Sequence, residues 1–333
     1  MMFSVNKLLG EPADREQAIV IGLVNNMPDA ALRSTERQFH DLLAAASPDR
    51  PISMRFFCLP EVPRGAAARA HLNQHYESNG ELWTSRLDGL IVTGTEPRAA
   101  SLEDEPYWAA LTKLIDWAEE HTISTVWSCL AAHAAVLHMD GIHRQRLPKK
   151  LFGVFNCIKS GEDRIIADVP STGWSVPHSR YNSLPEELLI ERGYDILARS
   201  AETGADLFIK HAGSEFVFFQ GHPEYEPDTL LREYRRDAAR FLAGETPNYP
   251  EMPTGYFDAD AVFALGEFRE RVLRNRGSDL IAHFPTAAAE SRLQHGWRKL
   301  AVRIYSNWIE YLARRKYRGY NNHTGAALHP ANK

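Results

Sequence analysis

Ile123-Ser124-Thr125-Val126-Trp127-Ser128-Cys129-Leu130-Ala131-Ala132-His133-Ala134-Ala135-Val136-Leu137 changes character at a single residue. Up to Ser128 the run is β-branched and apolar, as in a buried strand. From Leu130 onward it is rich in alanine and leucine, which are strong helix formers. The spacing therefore lifts Cys129 onto a sharp strand-to-helix turn with a helix N-terminus beside its sulfur. Unpaired N–H groups and the helix dipole favour negative charge at such a sulfur. The junction predicts a nucleophilic cysteine at a strand end.

Working outward, Gly221-His222-Pro223-Glu224 directly follows another apolar run, Glu215-Phe216-Val217-Phe218-Phe219-Gln220. A histidine close to the sulfur can serve as base, and a carboxylate two residues on can fix its tautomer. Together these residues read as nucleophilic catalysis through an acyl-cysteine.

Further short apolar runs occur at 18–24, 53–59, 87–93, 195–198 and 205–210. Their hydrophobicity is continuous rather than alternating, which predicts strands covered on both faces. Helical patterns at about 31–46, 107–121, 130–137 and 228–242 separate many of them. The βαβα order predicts an α/β fold with a doubly wound, mostly parallel sheet flanked by helices and a C-terminal helical extension. Reactive groups in such sheets gather beyond the strand C-termini. Met27-Pro28, Gly94-Thr95, Cys129 and His222 all fall at such ends.

The chain reads as an α/β domain over 1–250, an inserted segment over 251–290, and a last helix in 291–333 that packs on the same domain. Asp258–Asn275 fits a helix and 276–290 mixed loop. The last helix spans about Ser291–Arg315, with Leu293, Trp297, Leu300, Ile304, Trp308 and Leu312 at helical spacing. That stripe fits the core or a homodimer contact.

The 333 residues carry a net charge of −5 and a pI near 6.3, which argues against a nucleic-acid partner. Three cysteines without close spacing fit a reducing compartment, and no Cys-x-x-Cys pair points to a structural zinc site. The N-terminus shows no signal-peptide pattern, and no apolar run approaches the ~20 residues that span a bilayer. A cytoplasmic enzyme is expected, with no metal and no membrane partner.

Several motifs carry a resemblance. They include Leu87-Asp88-Gly89-Leu90-Ile91-Val92-Thr93-Gly94, Tyr107-Trp108, Phe152-Gly153-Val154-Phe155 and Pro177-His178-Ser179-Arg180-Tyr181. Gly221-His222-Pro223-Glu224-Tyr225, Glu233-Tyr234-Arg235-Arg236-Asp237 and Asn307-Trp308 complete the set. With Cys129, their order and spacing resemble the homoserine O-succinyltransferase/O-acetyltransferase family, over about 18–250 and the final helix. The resemblance implies a class I glutamine-amidotransferase-like fold. It also implies acyl transfer from a CoA thioester to the hydroxyl of homoserine, the first committed step to methionine.

By position, Cys129 resembles the acyl-accepting nucleophile, His222 the general base and Glu224 its orienting partner. Lys150, Ser179 and Arg236 fall on substrate-binding positions, and Glu233 would meet the substrate ammonium. Arg98 occupies the position linked to acyl-CoA choice. The partners implied are small molecules, acyl-CoA as co-substrate and a hydroxy amino acid, with no cofactor. The chain departs from the family pattern at Asp29-Ala30, Leu130, His133 and Thr95-Glu96, and in an added segment of roughly 40 residues before the last helix.

The chemistry suits these residues. A cysteine exchanges one thioester for another of similar energy, and His222 then deprotonates the acceptor hydroxyl, a contribution of about 10²–10⁴-fold. The Leu130 N–H, with an amide from the Gly94 loop or the Met27-Pro28 loop, would stabilise the oxyanion. Arg236 would take the acceptor carboxylate as a fork.

Cys58 and Cys157 read as core or loop residues, His178 as a loop histidine organising Ser179, and His133 as packed core. A succinyl donor is preferred to acetyl, since Arg98 could pair with its carboxylate. Alternatives are a serine or other hydroxy amino acid acceptor, and a glutaminase-type hydrolase. The latter usually has glycine where Ala131 stands.

Overall fold

The structure, a computed structural model, describes residues 18–290 and 296–325, with side chains to Arg318. The N-terminal stretch read for a signal peptide, and Ser291 and Leu293 of the expected last helix, lie outside the described residues.

The first half of the chain alternates strand and helix: β1 (Ile19–Val24), α1 (Asp29–Ala46), β2 (Ile52–Phe57), α2 (Ala66–His75), α3 (Asn79–Thr84), β3 (Gly89–Val92), α4 (Trp108–His121), β4 (Ser124–Ser128) and α5 (Leu130–Asp140). Then come β5 (Gln145–Lys159), β6 (Trp174–Ser183), α6 (Glu186–Glu191), β7 (Asp195–Ser200), β8 (Gly204–His211) and β9 (Glu215–Phe219). Four helices close the chain: α7 (Thr229–Leu242), α8 (Ala259–Arg274), α9 (Thr286–Glu290) and α10 (Arg298–Gly325).

The nine strands among the described residues form one sheet, in the order β2-β1-β3-β4-β9-β8-β7-β5-β6. The strands β2, β1, β3, β4 and β9 pair in parallel. From β9 onward β8, β7, β5 and β6 continue antiparallel. The sheet is thus mixed, with a parallel half that carries the strand-to-helix junctions. Two strands escape the apolar-run reading. β5 has an exposed basic start around Lys149, and β6 carries Pro177 within it. The fully buried strands β3, β4 and β9 lie within continuous apolar runs.

One face of the sheet packs against α3, α4, α5 and α6. The other packs against α1 and α10. α5 is buried from Leu130 through Leu137, so it is apolar all round rather than striped. On α10, Leu300, Ile304, Trp308 and Leu312 are buried in the second core, and Trp297 just before the helix is buried against α7 and α8. The stripe is core. Its closest approach is to Gly89 of β3, where any side chain would strike Leu312 and Trp308.

Among the described residues the last helix begins at Arg298, after a turn at 296–297, and 276–290 holds a 3-10 turn and the short α9. The 251–290 segment closes a third core with α7, joining Tyr256, Phe268 and Phe284 to Leu230 and Tyr234. Tyr256 donates its hydroxyl to the Pro227 carbonyl, and Trp297 Nε1 donates to the Tyr225 carbonyl at 2.8 Å. The segment therefore braces the loop that follows β9. Among the described residues no helix is long and apolar enough to cross a membrane.

Candidate active site

Cys129 caps the N-terminus of α5 with φ 53° and ψ −110°. A non-glycine residue at positive φ is strained by roughly 1–3 kcal/mol. Here the strain is held from both sides. The Cys129 N–H donates to the Phe219 carbonyl of β9 at 2.7 Å, and its carbonyl accepts from His133 N–H at 3.2 Å. The turn presents the half-buried sulfur at the C-terminal edge of the parallel strands. Leu130, as the first residue of α5, has an N–H with no intrahelical acceptor. Gly94 packs directly on it: a Cβ built at Gly94 would lie 3.0 Å from Leu130 N and 2.7 Å from Leu130 Cβ. Of the two loops expected to supply a second amide, the Met27-Pro28 loop is spent. Met27 N–H donates to Asn25 Oδ1 at 3.2 Å, and proline has no N–H. The Gly94 loop is left.

His222 and Glu224 stand as the sequence motif suggested, with Nδ1 and Oε1 2.8 Å apart and both side chains buried. Burial alone would lower the imidazole pKa. The Glu224 carboxylate and the Cys129 sulfur outweigh it and raise that pKa well above the ordinary value. His222 is thus electrostatically coupled to Cys129 on one side and Glu224 on the other. The His222 ring also stacks on Tyr225, with centroids 4.3 Å apart and planes 15° from parallel.

Lys150, Ser179, Glu233 and Arg236 come together. Ser179 Oγ donates to Glu233 Oε2, and Tyr225 Oη donates to Glu233 Oε1 at 2.6 Å. Lys150 Nζ lies 3.1 Å from Asp237 and 3.7 Å from Glu233. Arg236 bonds Asp237 at 2.8 Å and reaches Glu233 at 3.9 Å. Burial pushes the Asp237 carboxyl up, but Lys150 and Arg236 outweigh it and lower its pKa. Tyr225 and Asp237 are members of this cluster that sequence reasoning did not single out, although both lie inside quoted motifs. The signal for Asp237 was its i, i+4 spacing from Glu233 on α7, whereas Tyr225 lies in the loop before that helix.

Beside the cluster opens a cleft of about 610 Å³, a size typical of ligand sites. It runs from Thr95, next to Gly94, past the exposed Arg98 to Glu105 and Tyr107. Glu105 Oε1 accepts from the N–H groups of Arg98 and Ala99, at 2.5 and 2.7 Å, and so shapes the turn that carries Arg98. Tyr107 Oη and Glu105 Oε2 are buried beside each other without other partners. Arg240 pairs with Glu96 at 3.0 Å and joins the cleft to the α7 cluster. Glu105 and Arg240 had no sequence signal and Tyr107 stood only inside a quoted motif, because only the fold brings these segments to one edge.

Beneath His222 lies a buried polar layer. Cys157, His178 and Asp206 offer ligand atoms within 4.8 Å of one another. Arg180 Nε, however, donates to His178 Nδ1 at 3.3 Å, which leaves the proton on Nε2, facing Asp206 Oδ1 at 3.4 Å. A protonated nitrogen beside a guanidinium does not suit a cation. His178 lies fully buried within strand β6 rather than in a loop. His133 is buried core, as expected, with Nε2 3.0 Å from Gln220 Oε1. Cys58 is half-buried and Cys157 buried.

The chain is similar to known proteins over most of its length. A family model described as homoserine O-succinyltransferase matches residues 10–318. The chain is 49% identical over 297 residues to a homoserine O-succinyltransferase of Rhodopseudomonas palustris, covering 89% of each chain. It is 48% identical to one of Bradyrhizobium japonicum, covering 89% of this chain and 90% of that protein. A solved glutamine amidotransferase from Methylobacillus flagellatus superposes with a TM-score of 0.50 at 16% identity, covering 89% of this chain and 95% of that one. That likeness shows the class I glutamine-amidotransferase fold.

Proposed function

The chain belongs to the homoserine O-succinyltransferase family, and from that premise we propose that it moves the succinyl group of succinyl-CoA to the hydroxyl of L-homoserine through an acyl-enzyme on Cys129, in methionine biosynthesis. The observation that carries the reading is the coupling of a strained, strand-end cysteine to a buried His222–Glu224 pair beside a mixed-charge cluster.

The Cys129 sulfur attacks the thioester carbonyl, and the Leu130 N–H with an amide of the Gly94 loop receives the oxyanion. Removing one such donor typically costs about 2.7–4 kcal/mol. CoA leaves as the thiol, with its proton drawn from His222. Having given its proton to the departing CoA thiolate, the neutral imidazole is free to accept the proton of the acceptor hydroxyl. Attack of that oxygen on the acyl-cysteine releases the O-acyl product and returns the proton-bearing pair.

The cleft at Arg98, Glu105 and Tyr107 takes the donor, with Arg98 at its rim as the group available to the succinyl carboxylate. The α7 cluster takes the amino acid. Arg236 and Lys150 face its carboxylate, and Glu233 with Ser179 faces its ammonium. The test is intact-mass spectrometry of the enzyme with succinyl-CoA and no acceptor. One succinyl group should appear on the wild type and none on Cys129→Ala. Equal labelling of both would remove the acyl-cysteine reading.

A further inference from the structure

Three backbone contacts hold the few peptides that lead from the end of β9 to His222. The His222 N–H donates to the Pro177 carbonyl of β6 at 2.8 Å. The Gln220 N–H donates to the backbone carbonyl of Asp206 on β8, also at 2.8 Å. Between them, the Gly221 N–H donates to the Asp206 side chain, Oδ1, at 2.9 Å. Asp206 is 2% exposed and entirely within the protein. It sits where β8 faces both β6 and the chain leaving β9.

The approach is tight. A Cβ at Gly221 would lie 2.6 Å from Asp206 Oδ1, 2.5 Å from Val176 and 3.0 Å from His178. Only glycine lets the peptide come down onto the carboxylate. His178 Nε2 lies 3.4 Å from the carboxylate, without a hydrogen bond to it, and His178 Nδ1 accepts from Arg180 Nε. Arg180 is itself anchored through the Asn182 and Thr203 carbonyls at 2.6 and 2.7 Å. A buried guanidinium, an imidazole and a carboxylate thus form one line ending on the peptide before His222. None of the three is required by the acyl-transfer chemistry.

We propose that Asp206 is a positioning residue, whose carboxylate fixes the Gly221–His222 peptide and thereby the line along which the imidazole meets the Cys129 sulfur. The contact differs from that of Glu224. Glu224 holds the ring by Nδ1, whereas Asp206 holds the backbone from which the ring projects. A misplacement near 1 Å can cost on the order of 10²-fold in rate. The role in turnover rests on the acyl-transfer reading. The effect on Cys129 reactivity does not.

The test compares wild type, Asp206→Asn, Asp206→Ala and Gly221→Ala. Two readouts are needed: the rate of Cys129 alkylation by iodoacetamide as a function of pH, and kcat and KM with succinyl-CoA and homoserine. Asp206→Ala should lower both the alkylation rate near neutral pH and kcat by about 10–100-fold, with the acceptor KM within about twofold. Asp206→Asn should recover most of the loss, because its amide oxygen still accepts from Gly221. Gly221→Ala, which attacks the same contact from the other side, should copy Asp206→Ala and stands in for it if that variant does not fold. A folded Asp206→Ala or Gly221→Ala with wild-type alkylation and kcat would overturn the proposal. So would a rise in KM alone. Wild-type enzyme that alkylates normally but is not acylated by succinyl-CoA would instead sink the functional reading and leave Asp206 to be judged by alkylation.

Discussion

The His222 imidazole lies flat against the Tyr225 ring, with centroids 4.3 Å apart, and the same tyrosine donates its hydroxyl to Glu233. One side chain therefore touches the base and the charged cluster at once. Tyr225→Phe keeps the stack and deletes the hydrogen bond. It should raise the acceptor KM several-fold while kcat holds within about twofold. Tyr225→Leu removes the flat surface, and kcat should fall as well. Steady-state kinetics on both variants check this, and equal behaviour would show that the ring and hydroxyl have no separable roles.

His222 and Glu224 should behave as one unit. Glu224→Gln leaves an acceptor 2.8 Å from Nδ1 but removes the charge that raises the His222 pKa. Turnover should drop by about 10²-fold or more while the thermal midpoint changes little, since the wrong-charge partner spoils base function. The double variant with His222→Ala should be no worse than His222→Ala alone. Multiplying losses would mean independent residues.

Arg236→Lys should raise the acceptor KM far more than the donor KM. Lysine cannot both hold Asp237, 2.8 Å from the present guanidinium, and present a second donor to a carboxylate. Asp237→Asn should move the same constant in the same direction, because Lys150 and Arg236 are both tethered to it. Initial-rate analysis against each substrate separates the two constants.

Arg98 is exposed at the cleft rim, which bounds its effect. An exposed ion pair contributes under about 1 kcal/mol. Arg98→Gly and Arg98→Glu should therefore shift the succinyl-to-acetyl ratio of kcat/KM by no more than about fivefold. The glutamate variant should shift it further toward acetyl, because like charges repel. Competition between the two donors measures the ratio directly.

His133 makes stability sensitive to acid. Burial lowers its pKa from 6.5 to about 3, with the Arg180 charge adding to the effect. Between those values the unfolded chain binds a proton that the folded one refuses, so this contribution is lost as pH falls through the window. Asp206 acts oppositely: burial raises its pKa from 3.8 to about 6, so its contribution is lost as pH rises through that range. His133→Gln can still donate to Gln220 Oε1 but cannot titrate. Its thermal midpoint should match wild type near pH 7.5 and exceed it near pH 5. Parallel midpoint curves would show that His133 does not set the acid limb.

Much of this protein is local and was legible along the chain. The buried strands of the parallel half are covered on both faces, so their residues are apolar without a break, and the period change at Cys129 marks its turn without any partner. The pairing of His222 with Glu224 needs only two residues of separation. The gathering of Lys150, Ser179, Glu233 and Arg236 could be named only through family resemblance, since they come from β5, β6 and α7.

The antiparallel half is different. β5 and β6 are partly exposed and carry basic residues and a proline, and their pairing depends on neighbours distant in sequence. Tertiary structure alone decided that the last-helix stripe is core and that the Met27 amide is occupied while the Gly94 loop faces Leu130. It also put Asp206 and Arg180 under His222. The physical reason is the same in each case. Hydrophobic periodicity and turn chemistry act between residues a few positions apart, whereas a buried polar contact is defined only when strands remote in the chain bring donor and acceptor within about 3 Å.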